Sequence, residues 1–63
     1  MYMTGINTGG NIAYEQDGKH ERLSDAVNQA TALTKGIRDD QSTVVIDISF
    51  GFQIVGVFYK EGK

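Results

Sequence analysis

The chain has no cysteine, which excludes disulfides and thiolate metal sites. It has one histidine, too few for an imidazole-based transition-metal site. The lack of cysteine fits a reducing compartment, and a cytoplasmic setting is expected on that basis. No apolar run reaches the length of a membrane span, since the longest is broken by Asp47, Ser49 and Gln53. The opening MYMTGINTGGN lacks the basic start and apolar centre of a signal peptide. Basic residues stand singly, as Lys19, Arg22, Lys35, Arg38, Lys60 and Lys63, and the net charge is −2. That is not the footprint of a nucleic-acid binder, nor of a protein held on an anionic membrane. There is no proline, no low-complexity tract and no internal repeat.

What is present is concentrated near the end. Thr43 to Lys60, TVVIDISFGFQIVGVFYK, holds most of the β-branched and aromatic residues and reads as two strands folded at Phe50-Gly51-Phe52. Parity selects a three-residue loop that opposes Ile48 to Ile54, Ile46 to Gly56 and Val44 to Phe58. These residues then form one core face. Gly56 in mid-strand either admits the helix or marks a bulge. The opposite face carries Thr43, Val45, Asp47, Val55, Val57 and Tyr59. It is more apolar than a solvated face requires, so it is expected to be exposed, dimerised or bound. Val45, Asp47, Val55, Val57 and Tyr59 are therefore the candidate protein-binding residues, with Tyr59 suited to anchor an interface.

Before this hairpin, residues 1–10 are read as either a short edge strand or a frayed terminus, and residues 11–63 as the single folded domain. Asn7-Thr8-Gly9-Gly10 is turn chemistry. The glycines there do not make a phosphate loop, because a strand rather than a helix follows and the Gly-Lys-Ser/Thr ending is missing. Asn11 to Leu23 is expected to fold as a hairpin about Asp17-Gly18, a strong type I′ signal. That places Ile12, Tyr14, Glu21 and Leu23 on one face and pairs Glu15 with His20 on the other. Ser24 to Gly36 is expected to be a helix capped by Ser24, with Gly36 in the left-handed conformation at its end. Its apolar stripe is Leu23, Val27, Ala30, Leu33 and Ile37, with Asn28, Gln29, Thr31 and Lys35 pointing away. The polar segment Arg38 to Ser42 connects it to the final hairpin.

The fold class that follows is α+β, an antiparallel sheet of about four strands in the order ββαββ with one helix on one face. A chain of 63 residues buries only about 60% of its unfolded surface, so self-association or a partner would stabilise it. No residue set specifies catalysis. No two carboxylates flank a common site, His20 has no nucleophile beside it, and Ser24 and Ser49 serve capping and turn formation. Asp47 is the one carboxylate set into an apolar strand and needs exposure or a partner. No enzyme activity, cofactor or metal is expected.

The layout of GGNIAYEQDGKHERLSDAVNQATALTK followed by STVVIDISFGFQIVGVFYKEGK resembles small proteins of phages and mobile elements. Among these are some anti-CRISPR proteins and a small podophage inhibitor of bacterial RNA polymerase. It is also similar to a group of short bacterial proteins of unknown function. The resemblance spans Gly9 to Lys63 and carries over no residue roles. It implies a non-enzymatic inhibitor in the host cytoplasm that occludes a host protein or ribonucleoprotein complex. The alternatives are a homodimer or higher oligomer built on the second sheet face, and a small ligand- or nucleic-acid-binding domain. The flavin-binding dodecins, also small β-α-β-β proteins, are set aside because the strands are shorter and there is no tryptophan to stack on a flavin.

Overall fold

The computed structural model describes residues 1–60. Its elements are β1 (Tyr2–Thr8), β2 (Asn11–His20), α1 (Leu23–Thr34), β3 (Gln41–Asp47) and β4 (Gln53–Tyr59). The strands form one antiparallel sheet in the order β2-β1-β3-β4, with the helix across one face. The expected ββαββ architecture is therefore present.

The first hairpin lies further toward the start of the chain than its strongest turn signal indicated. Gly9 and Gly10 have φ of +60° and +97°, the pair of positive angles a two-residue type I′ turn needs. Thr8 accordingly faces Asn11. The Asn7 Oδ1 accepts from the Gly10 N–H at 2.9 Å, holding the turn from its own strand. Residues 2–8 are thus neither frayed nor an edge strand, because β1 lies between β2 and β3 and is paired on both sides.

Asp17-Gly18 does not close a hairpin. Met3 pairs with Lys19 and Gly5 with Tyr14, so Thr4 alone stands opposite the four residues Glu15 to Gly18. These form an outward excursion of β2, a large bulge. The Gly18 backbone returns so close to Thr4 that a Cβ there would stand 2.7 Å from the Thr4 Oγ1. Once Gly9-Gly10 has made the turn, Asp17-Gly18 can only be accommodated within a strand. The expected Glu15–His20 pairing is lost with that hairpin.

The helix cap lies two residues earlier than expected, and the helix ends without a left-handed residue. Arg22 is the N-cap and makes no side-chain capping bond, while Ser24 lies within the first turn. At the other end, the Lys35 and Gly36 N–H groups donate to the Ala32 and Leu33 carbonyls at 3.3 and 3.0 Å. These tighter i→i−3 bonds close the last turn without requiring a positive φ at Gly36. Ile37 is buried just beyond it.

Ala26 and Ala30 are the fully buried helix residues, and they meet Val45, with Tyr2 and Phe58 packed around them. Methyl side chains let the helix axis come close to the sheet, and Leu23 at one end of the expected stripe stays exposed. Gln29, expected to point outward, instead faces the sheet. Its Oε1 accepts from Thr4 Oγ1 and meets His20 Nε2, both at 2.6 Å, and its Nε2 donates to the Asp17 carbonyl at 3.3 Å. Gln29 therefore ties the β2 excursion to the helix.

The β3–β4 register corrects the assignment of faces. Asp47 pairs with Gln53 and Ile46 with Ile54, but Val45 pairs with Gly56, Val44 with Val57 and Thr43 with Phe58. Val55 is the extra residue of a β-bulge. Ile46, not the expected Ile48, stands opposite Ile54, and the connection runs over residues 48–52 rather than Phe50-Gly51-Phe52 alone. Ile46 and Ile54 still share a face, and beyond the bulge the parity of β4 reverses. The helix covers the row containing Thr43, Val45, Gly56 and Phe58, not the row containing Val44, Ile46 and Ile54. Gly56 leaves room there for the Phe58 ring, whose nearest carbon would stand 3.2 Å from a Cβ at that position.

Candidate functional site: an open apolar sheet face

Opposite the helix, the register brings Met3, Gly5 and Asn7 of β1 alongside Ile12, Tyr14 and Lys19 of β2. Across β1, the same face continues with Ser42, Val44 and Ile46 of β3, then Ile54, Val57 and Tyr59 of β4. Lys19 is the one charged side chain among the described residues in this register.

Among the described residues, no second layer covers this face, yet Val44 and Ile46 are only 1% and 2% exposed. Two neighbours account for this. Gly5 lies under Ile12 and Tyr14, since a Cβ on it would stand 2.9 Å from Ile12 Cγ2 and 3.3 Å from Tyr14 Cδ1. The Phe52 ring, carried by the β3–β4 loop, meets the Tyr14 ring edge-on, with centroids 6.4 Å apart and planes at 89°. Such an edge-to-face contact adds about 0.5–1.5 kcal/mol to the apolar burial. It joins β2 to the loop over the intervening strands and shelters the aliphatic floor. The loop permits this through Gly51, which has φ of +94°.

The rest of the face is open. Phe52, Ile54 and Tyr59 are 70%, 54% and 72% exposed, and Tyr14 and Val57 are exposed as well. Aromatic rings bury roughly 150–250 Å² each when fully covered, so this surface is large for a chain of this size. Its apolar residues are contiguous rather than scattered, which distinguishes it from ordinary surface hydrophobicity.

The five residues singled out from the sequence do not lie together. Val57 and Tyr59 are on the open face. Val45 is fully buried against the helix, which removes it from the surface. Val55 is exposed in the bulge. Asp47 has the helix-side parity, at the end of β3. Its Oδ1 accepts from the Ser49 N–H at 2.9 Å, and that bond holds its carboxyl below the ordinary carboxylate range against the opposing effect of desolvation. The partner Asp47 requires is therefore a backbone amide in the loop.

Tyr14, Phe52 and Ile54 are the members of the face that sequence reasoning missed. Pairing β1 with β2 about Gly9-Gly10 would have found Tyr14, since an aromatic opposite a glycine covers the exposed backbone. Among the described residues, no group of three His, Cys, Asp or Glu side chains is placed to hold a metal ion. No described helix is long and apolar enough to cross a membrane.

The geometry defines a small α+β domain with one covered and one uncovered sheet face. Comparisons with protein families, with characterised proteins and with solved structures find no match to this chain.

Proposed function

We propose that this chain is a non-enzymatic protein-binding module that works by laying its open sheet face on a partner. One observation carries the reading: Tyr14, Phe52, Ile54, Val57 and Tyr59 form a contiguous exposed apolar surface with, among the described residues, a single charged side chain at its margin. Covering such a surface is favourable at about 25 cal/mol per Å² of apolar area removed from water. The bulky exposed aromatics supply the kind of anchors around which interfaces are built.

The narrower reading is a phage-type inhibitor that occludes a host defence or transcription complex in the host cytoplasm. It rests on the resemblance of layout, and inhibition assays of such complexes with the purified chain test it. The same face also suits a second copy of the chain, because with Lys19 as its one charge two copies would meet almost without like-charge repulsion. Sedimentation across a concentration series separates self-association from partner binding.

The test of the main reading is affinity capture with the wild-type chain and with Ile54→Glu and Tyr59→Ser variants. Both positions are exposed, so the variants are expected to keep the wild-type circular dichroism spectrum and melting temperature. The captured protein should be lost from both and retained by a control altered on the helix exterior, Asn28→Ala. Capture that is equal in all four chains would overturn the reading.

A further inference from the structure

The two edges of the sheet differ in how they are protected. Edge strands offer unpaired backbone N–H and C=O groups, which proteins usually guard with charge, proline or a bulge. On β2, the edge is interrupted by the excursion Glu15 to Gly18, with Glu15, Asp17 and Lys19 at its borders. On β4, the guard is the Val55 bulge alone. Beyond it, Gly56 to Tyr59 runs in regular register with β3 and contains neither charge nor proline.

That unguarded half-edge borders a groove. The space between the last turns of α1 and the end of β4 has a volume of about 620 Å³, within the range of about 300–1,000 Å³ typical of ligand clefts. Its walls include Thr31, Thr34 and Lys35 from the helix, and Phe58, Tyr59 and Lys60 from the strand side. Among the described residues, no carboxylate lines it. The Thr31 and Thr34 hydroxyls donate to the Val27 and Ala30 carbonyls of their own helix at 2.8 and 2.6 Å. The Lys35 and Lys60 ammonium groups are therefore the remaining charged donors among the described residues that line the groove. The helix C-terminus contributes an opposing partial charge of about −0.5, which two full positive charges exceed.

We infer that the Gly56–Tyr59 edge and this groove together bind an extended acidic peptide segment of a partner protein, which adds to the sheet as a fifth strand. The backbone of the segment pairs with β4. Its alternate side chains enter the groove, apolar ones against Phe58 and carboxylates toward Lys35 and Lys60. Charge decides between this occupant and a second copy. A copy pairing through its own β4 would bring Gln53–Tyr59, which has no carboxylate, so Lys35 and Lys60 would meet no counter-charge there. The inference deepens the reading of the chain as a protein-binding module by adding a second contact surface and the chemistry of the segment it takes.

The test is selection of a displayed library of random decapeptides on the wild-type chain and on a Lys35→Glu/Lys60→Glu double variant. Both lysines are solvent-facing, and circular dichroism checks that the variant is folded. The wild type should enrich peptides that alternate Asp or Glu with apolar residues, and the double variant should enrich basic ones. A synthetic copy of the best peptide should lose at least about tenfold in affinity, or about 1.4 kcal/mol, when alternate backbone amides on its pairing edge are N-methylated. No enrichment, enrichment without acidic residues, unchanged selection by the double variant, or tolerance of every N-methylation pattern would each overturn the inference. So would a stable wild-type dimer in which the Gly56–Tyr59 amides are protected from hydrogen exchange. A Tyr14→Ala chain, altered on the far strand of the open face, keeps the two readings apart. If it binds the peptide but loses the captured partner, both stand. If the peptide result fails while Ile54→Glu still abolishes capture, the open-face reading survives alone.

Discussion

Gln29 shows how one side chain can hold three parts of a small protein together. Its Oε1 meets both Thr4 Oγ1 and His20 Nε2, and its Nε2 reaches the backbone of the β2 excursion. The His20 contact requires the proton on Nε2. Thr4 is fully buried, so losing its acceptor strands a hydroxyl away from water. Gln29→Leu should destabilise the chain by about 1–3 kcal/mol in urea unfolding, the usual cost of an unsatisfied buried polar group. An unchanged midpoint would show that the amide contributes no net stability. Asp47 gives a prediction in pH. Its folded-state pKa is depressed, chiefly by the Ser49 N–H, so its contribution to stability is complete above the unfolded value and is lost as pH falls through the lower folded value. A carboxyl NMR titration should place its midpoint below the ordinary 3.8, with the Ser49 amide shift following the same curve. A midpoint at or above that value would contradict the assignment.

Among the elements, β2 and β4 each depart from regular pairing, and these departures limited what the sequence could reveal. The existence of both late strands and of the helix was legible, because alternation and helical spacing are local signals, but the turn read at Phe50-Gly51-Phe52 extends back to Ile48. The faces were not. The parity argument for Thr43–Lys60 was sound up to Val55, where one unpaired residue exchanged the faces of everything after it. Hydrophobicity also ranked the Val44, Ile46 and Ile54 row as core, whereas the helix settled on the row where Thr43 and Gly56 permit close approach. Similarly, two turn signals competed for Asn11 to His20, and local strength alone did not say which would close the hairpin. The excursion that resulted depends on Gly18. In Gly18→Ala, the new Cβ would stand 3.0 Å from the Glu15 and Thr4 carbonyl oxygens, both backbone atoms that cannot swing aside. The expected cost is about 1–3 kcal/mol, as for overpacking elsewhere, read as a lower melting temperature with unchanged helix content. A melting temperature equal to the wild type would mean that the excursion relaxes freely.

For the molecule as a whole, stability should be graded across the sheet. β1 and β3 are paired on both sides, β3 is buried through most of its length, and the two edges are not so protected. Native-state hydrogen exchange should therefore find the slowest amides in β1 and β3. The fastest strand amides should lie in Glu15 to Gly18 and in the outward-facing positions of Gly56 to Tyr59. Slow exchange throughout β4 would mean that its edge is already covered in solution, by another copy or by a bound segment. The central place of β1 has a further consequence. A segment near the beginning of the chain can often be lost as loose fringe, but here residues 2–8 are the shared partner of two strands that do not otherwise touch. A protease cut that removed them would take out the keystone of the sheet, leaving β2 and β3 with no neighbour in common. During synthesis the same strand waits with one edge bare, from the closing of the Gly9-Gly10 turn until the stretch beginning at Gln41 emerges to cover it.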